Sequence, residues 1–309
     1  MADLDELTLL VGAPVVAAER SRWGFENRTD LVTLADGRRL VVQRVTNRAL
    51  APHKLRLARI LPERLAAVGV VSPRQLAARP QADPPYAVRE FLPGLPGPAA
   101  LGSDAGAIGL ARAMGALLPR LAQVGSEGAG LSRTWAEPER LLGLSRRRLE
   151  RTAALLPPDD HAALAATITE AATLLADRPA CFAHGDFCPV NILLAEDTLP
   201  EHETQASSLK PQAPRIAALL DLEFARVADP LFDAAWWGLI VRYHHPARWQ
   251  VAWPHLLDAA GIPANAENLR RITAIQRLRC LETLDYYAAF DPDRARDWAG
   301  RMHVVLQWP

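Results

Sequence analysis

The chain has 309 residues, half of them apolar, with 35 basic side chains balanced by 35 acidic ones. No apolar run approaches the roughly 18 to 20 residues that cross a bilayer. A net charge of zero also removes the broad basic field that draws nucleic acid or anionic lipid, so neither a membrane nor a nucleic acid is expected as partner.

Residues 29–45, TDLVTLADGRRLVVQRV, carry two β-branched apolar runs around Asp36-Gly37, a dipeptide that suits the positive φ angles of a tight turn, and predict an antiparallel hairpin. Leu55, Leu57, Ile60, Leu61 and Leu65 predict a helix over about 53–68, with Pro62 as its kink or early end. Tyr86 to Phe91 reads as a strand, and the Pro/Gly-rich run after it, 92–98, as an irregular connection that neither ladder nor helix can cross. Beyond it the period changes from 2 to 3.6. Helices are expected at about 104–122, 138–155, 159–176, 230–243, 248–260, 267–289 and 292–303, with short strands at 191–194 and 216–220. Between those strands the polar run AEDTLPEHETQASSLKPQAPR offers little to bury, which predicts a mobile surface loop over about 196–213.

The densest polar cluster in an apolar context is His184-Gly-Asp-Phe-Cys-Pro-Val-Asn191, and buried polar groups at that density need a reason. An aspartate followed five positions later by an asparagine has the spacing of the protein-kinase catalytic loop, where the first accepts a hydroxyl proton and the second holds magnesium. Downstream, Asp221 closes an apolar strand, where the same chemistry needs a carboxylate for magnesium on the nucleotide phosphates. As turn formers alone, Asp186, Asn191 and Asp221 would not need to fall in this register. His184, first in the motif, is expected to hold the loop through backbone bonds rather than to move protons. The cysteines Cys181, Cys188 and Cys280 have neither CxxC nor zinc-like spacing and read as reduced thiols of a cytoplasmic protein. The acidic start MADLDELTLL does not resemble an export signal.

HGDFCPVNILL followed by LLDLEFARVADPLFDAAWW resembles the signature of the aminoglycoside phosphotransferase and choline kinase superfamily, small-molecule relatives of protein kinases. The resemblance implies an α+β, bilobal, protein-kinase-like fold. A small antiparallel β lobe with one helix would occupy residues 1–92, a hinge 93–98, and a larger, mostly helical catalytic and substrate-binding lobe 99–309. It assigns Asp186 as the base, Asn191 and Asp221 as magnesium ligands, and Asp229 and Asp233 as supports of the next helix. Gly24, Phe25 and Asn27 occupy the place of the phosphate loop, although a single glycine is a weak cradle. Backbone at Glu90 and Leu92 would contact the base of the nucleotide.

The sharpest departure lies on the third strand, where kinases carry a phosphate-holding lysine. Leu40-Val-Val-Gln43-Arg44-Val has none; of the 35 basic residues only Lys54 and Lys210 are lysines. Gln43 and Arg44 face opposite sides of a strand, so only one reaches the nucleotide. Position favours Gln43 and charge favours Arg44, toward which the chemistry leans slightly. The helix glutamate that usually orients the lysine has no clear counterpart, since Glu63 comes late and follows Pro62.

Glu223, Trp236, Glu282 and Asp285 are the candidate acceptor contacts, acids suiting an ammonium group and aromatic faces a quaternary ammonium or a macrolide. The expectation is therefore a Mg2+-dependent enzyme that moves the γ-phosphate of ATP, or GTP, to a hydroxyl of a small molecule such as an aminoglycoside or another antibiotic. A choline, homoserine or sugar kinase of the same superfamily, and a nucleotide-binding pseudokinase without turnover, are the alternatives. A metal-dependent hydrolase built on His184, Asp186 and Asp221 is a third. The sequence specifies neither the acceptor nor an oligomeric state.

Overall fold

A computed structural model describes residues 4–21, 27–196 and 214–308. Gly24, Phe25 and all but the first residue of the loop expected at 196–213 lie outside them.

Helix α1 (Leu4–Val11) leads into β1 (Val15–Arg20), β2 (Arg28–Leu34) and β3 (Arg39–Arg44). Helix α2 (Ala51–Ala67), β4 (Gln75–Arg79) and β5 (Tyr86–Glu90) follow, and the strands form one antiparallel sheet in the order β1-β2-β3-β5-β4. The hairpin between β2 and β3 differs in detail from the expected two-residue turn. Leu34 and Arg38 pair across three loop residues, Gly37 donates back to the Leu34 carbonyl, and Gly37 takes φ +85° while Asp36 does not reach positive φ. This is the three-residue loop in which one left-handed residue follows a type I turn, and only the glycine needs the unusual angle.

Alternation divides the sheet into two faces. Even-numbered Val32, Leu34, Leu40, Val42 and Val88 pack with Leu7 of α1 into an apolar layer. Odd-numbered Thr29, Leu31, Val41, Gln43 and Arg89 line a cleft, with Thr29 opposite Gln43, Leu31 opposite Val41 and Arg89 opposite Val41 on its other side.

Helix α2 runs through Pro62 without ending. The missing bond costs roughly 3 kcal/mol, whereas Leu57, Leu61 and Leu65 are fully buried at about 1.5–3 kcal/mol each. That leucine stripe joins the large core of the C-terminal helices rather than the sheet's apolar layer. The stripe begins one turn earlier with a charge, Lys54, which is itself buried.

The connection expected to be irregular contains β6 (Leu95–Pro96), which pairs with β9 (Ile192–Leu194), itself paired with β10 (Ile216–Leu219). The first expected helix of the C-terminal part is divided into α3 (Asp104–Gly115) and α4 (Leu118–Leu121), with Pro119 opening the second. Next come β7 (Ser132–Trp135), α5 (Pro138–Thr152), α6 (Pro158–Leu174), β8 (Cys181–Ala183) and, after β9 and β10, β11 (Arg226–Ala228). Strands β7, β11 and β8 form a second three-stranded sheet. Helices α7 (Phe232–His244), α8 (Pro246–Ala259), α9 (Ala266–Ala288) and α10 (Pro292–Leu306) complete the chain. The protein thus combines an N-terminal antiparallel sheet with a mostly helical C-terminal part. Among the described residues no helix is long and apolar enough to cross a membrane.

Candidate active site

The cleft-lining face of the sheet and the loops after β8 and β10 enclose a space of about 1350 Å³. Asp186 and residues 188–191 of the segment His184–Asn191 line it, and the way that segment is held explains its polar density. His184 is completely buried. Its Nε2 lies 2.7 Å from the Leu220 carbonyl and its Nδ1 accepts from the Asp186 backbone N–H at 3.2 Å. With both nitrogens engaged, the ring is a strut between two loops and cannot ligate a metal. Asp233, in the first turn of α7, accepts the backbone N–H of His184 at 2.7 Å and that of Gly185 at 2.9 Å. Burial pushes the Asp233 carboxyl up, and the two backbone donors work against that shift. Gly185 has φ +84°, and a Cβ there would meet the Phe224 carbonyl oxygen at 2.0 Å, so only glycine lets the loops approach. Asp229 is held in turn by the Leu231 N–H and by Arg271, whose Nη2 lies 2.5 Å from its carboxylate.

Held in this way, Asp186 presents its carboxylate between two donors. Asn191 Nδ2 donates to Oδ2 at 2.7 Å and to the Asp186 carbonyl at 2.8 Å, while the indole N–H of Trp236 donates to Oδ1 at 2.7 Å. Cys188 is buried beside it, its Sγ 3.7 Å from Oδ1; burial and the Asp186 charge push that thiol far up, so it stays protonated. Because Asn191 spends its amide nitrogen on Asp186, its Oδ1 is the oxygen that remains for other partners. Asp221 opens the short turn Leu222–Phe224 with φ +55° and ψ +68°, a left-handed conformation uncommon for a non-glycine residue and concentrated at functional sites. Its Oδ1 accepts from Gln43 Nε2 at 2.9 Å. An amide oxygen and a carboxylate are the hard donors that suit magnesium, which takes few protein ligands and completes its shell with phosphate and water. Among the described residues no group of three or more His, Cys, Asp or Glu side chains converges as a metal site.

The sequence leaned to Arg44 as the replacement for the strand lysine, and the geometry corrects this. Arg44 lies on the other side of the strand, buried and ion-paired with Asp30, while Gln43 lines the cleft. Asn27 also enters the site, donating from Nδ2 to Glu223 Oε2 at 2.7 Å. Glu223 does not reach toward an acceptor, because its Oε1 lies 3.1 Å from the Lys54 ammonium and both side chains are 4% exposed. Lys54 lines the cleft and was missed as a site residue. The signal was there: in the stripe Lys54, Leu57, Ala58, Leu61, Leu65 a lysine takes a core position.

Glu90 and Leu92 line the cleft where β5 leaves the sheet. The Glu90 side chain is bound by Arg74, which holds its carboxyl below the usual range. In the other half of the cleft, Glu282 and Asp285 are not open acids. Glu282 accepts from Arg148 at 2.7 Å, from Arg226 and Arg279 at 2.9 Å each and from the Trp135 indole at 3.1 Å. Burial raises its carboxyl, but the Arg226, Arg279 and Arg148 guanidiniums outweigh burial and hold it far below the usual range. Asp285 is forked by Arg151 at 2.7 and 2.8 Å. The aromatic faces are engaged too: Arg279 lies 4.9 Å from the Trp236 ring, and Trp236 stacks on Trp298 with centroids 6.1 Å apart.

Residues 18–275 match the phosphotransferase enzyme family, APH, and the chain belongs to that family. The GDP and kanamycin complex of APH(2")-IIia superposes with a TM-score of 0.73 at 18% identity, covering 99% of this chain and 98% of that one. The apoenzyme of macrolide 2'-phosphotransferase MphH from Brachybacterium faecium gives 0.62 at 20% identity over 99% and 98%. The ADP and streptomycin complex of APH(3'')-Id from Streptomyces rimosus gives 0.59 at 21% identity over 90% and 99%. At these identities the likeness is one of fold. No curated protein matches significantly.

Proposed function

We propose that this chain transfers the γ-phosphoryl group of ATP or GTP to a hydroxyl of a small molecule. The observation that carries the reading is the Asp186 carboxylate, gripped at one oxygen by Asn191 and at the other by Trp236, lining the cleft. Each grip removes a rotational freedom, so the acceptor hydroxyl meets a base already aimed, which is where positioning contributes most to phosphoryl transfer. Asp221 and the Asn191 Oδ1 are the residues that would hold magnesium, which when bound would neutralise charge developing on the phosphates. Gln43 fixes the Asp221 carboxylate from the sheet side. The backbone at Glu90 and Leu92 would meet the nucleotide base, with Asn27 near the phosphates.

For the acceptor, an aminoglycoside or another antibiotic remains within the class. The arginines on Glu282 and Asp285 favour an alcohol that does not depend on those two acids to bind ammonium groups. Gln43 in the strand position favours a second reading, a pseudokinase that binds nucleotide without turnover. The test is ADP release from Mg-ATP and Mg-GTP against aminoglycosides, macrolides, amino sugars, choline and homoserine, run beside Asp186→Ala. Acceptor-dependent release that vanishes in the variant, with nucleotide binding retained, is the expected result. Full activity of Asp186→Ala would sink the assignment, and tight nucleotide binding without release to any acceptor would move it to the pseudokinase.

A further inference from the structure

A nucleotide triphosphate in a cleft needs fixed positive charge, yet the β3 residue that reaches Asp221 is Gln43, a neutral amide, while Arg39 on the same face lies four residues away over the Phe91 ring. Around it, Arg44 is turned away onto Asp30, and Arg89 stands opposite Val41, two residues along the strand toward the end where β5 leaves the sheet. At roughly 3.3 Å per residue, that places Arg89 about 7 Å from the level of Gln43. The cation tied to the turn after Asp221 comes from helix α2. Lys54 lines the cleft and is tied to Glu223, two residues after the Asp221 that Gln43 holds.

We propose that Lys54, carried on helix α2, holds the nucleotide phosphates in place of the missing strand lysine, with Glu223 as the carboxylate that orients it. The usual arrangement is then reversed, the helix supplying the cation and the turn after Asp221 supplying the anion, while Gln43 steadies Asp221. This rests on the phosphotransferase reading and adds to it.

Further features point the same way. An ammonium has three donors and serves a carboxylate and phosphate oxygens together. Burying this charge in the apolar stripe of α2 gains nothing in stability over a well-packed leucine, since the desolvation of a buried pair offsets its attraction, so its presence there calls for a use. The chain also relies on arginine for every basic residue except Lys54 and Lys210, yet here it places the compact point charge that fits beside a phosphate where a guanidinium fork is wider. Glu223 is fixed from its other side by Asn27 at 2.7 Å, so the ammonium has a defined resting position. Helix α2 is itself anchored in the large core through Leu57, Leu61 and Leu65, which makes Lys54 a rigidly based contact.

The test measures binding of Mg-ATP, Mg-GTP and the bare nucleosides to the full chain by calorimetry, for wild type, Lys54→Met and the relocated pair Gln43→Lys with Lys54→Gln. Lys54→Met is expected to weaken the triphosphate at least fivefold and leave the matching nucleoside within twofold, because only the phosphates meet the ammonium. The relocated pair is expected to recover at least half of the logarithmic loss. A merely structural lysine would weaken nucleoside and triphosphate in parallel, and that result, or triphosphate affinity within twofold of wild type, overturns the assignment. Should Lys54→Met fail to fold because the buried Glu223 charge has lost the ammonium, Lys54→Met combined with Glu223→Gln gives the same comparison. A wild type that binds neither nucleotide sinks the phosphotransferase reading itself, whereas a binding wild type with an indifferent Lys54→Met overturns the lysine alone.

Discussion

Trp236→Phe isolates a single bond at the centre of the site. The indole N–H donates to Asp186 Oδ1 at 2.7 Å from a side chain that is 5% exposed, and the ring stacks on Trp298. Phenylalanine keeps an aromatic face in the stack and deletes only the donor and part of the ring. A hydrogen bond to a charged group contributes about 1.5–3 kcal/mol; Oδ2 would keep Asn191 while Oδ1 would keep only the weak thiol donor of Cys188 at 3.7 Å, so the carboxylate would lose its strong hold on one oxygen. If that alignment is used in the transition state, at about 1.4 kcal/mol per decade the expected loss in kcat is roughly 10- to 100-fold. Nucleotide KM should stay within about twofold, because Trp236 belongs to α7 and its stack on Trp298 rather than to the sheet face proposed for the nucleotide. The assay is steady-state ADP release with an accepted alcohol, with melting temperature as a check that the fold survives. A folded Trp236→Phe with wild-type kcat would refute the argument that Asp186 is positioned by this bond.

Glu282→Gln should destabilise the protein by about 3–5 kcal/mol at neutral pH, since it leaves buried guanidiniums around a neutral amide. The wild-type carboxyl is held well below the ordinary value, so its contribution is fully present above about pH 4.3 and is lost only as the pH falls through the lower folded value. The gap between variant and wild type in denaturant titrations should accordingly persist through mildly acid pH; equal stability at pH 7 would contradict it. The cysteines should resist a thiol reagent in the native state: burial pushes Cys181 and Cys280 up to about 12 and Cys188 far up as well. Labelling of all three only after denaturation is expected, and rapid native labelling of Cys188 would show that the loop beside Asp186 opens.

Much of the site was legible along the chain because its parts are local. Asp186 and Asn191 belong to one eight-residue segment, and Asp221 closes a short apolar strand, so spacing alone aligned them. The helices of the C-terminal part were legible from their 3.6 period, and the β2–β3 hairpin from its turn residues. Strands β7, β8 and β11, of four, three and three residues, are too short for a period to show; they exist because they pair with one another. Strand alternation stated that Gln43 and Arg44 face apart, but which face met the cleft was decided by Leu7 of α1 packing with Val32, Leu40 and Val42 on the even side.

The charged contacts were the least legible. Glu282 and Asp285 read as acids waiting for a cation, and became filled positions once folding brought Arg148 and Arg151 of α5, and for Glu282 also Arg226 of β11, against α9. Glu223 read as an acceptor contact and is the partner of Lys54, 169 positions away by their numbers (223 minus 54). The sequence by itself determined the phosphotransferase class, because the motif residues Asp186 and Asn191 fall within one short segment and Asp221 closes a short apolar strand. Only the tertiary structure decided where the site finds its positive charge, because an ion pair joins whichever helices and loops packing brings together, at a separation along the chain that no local period records.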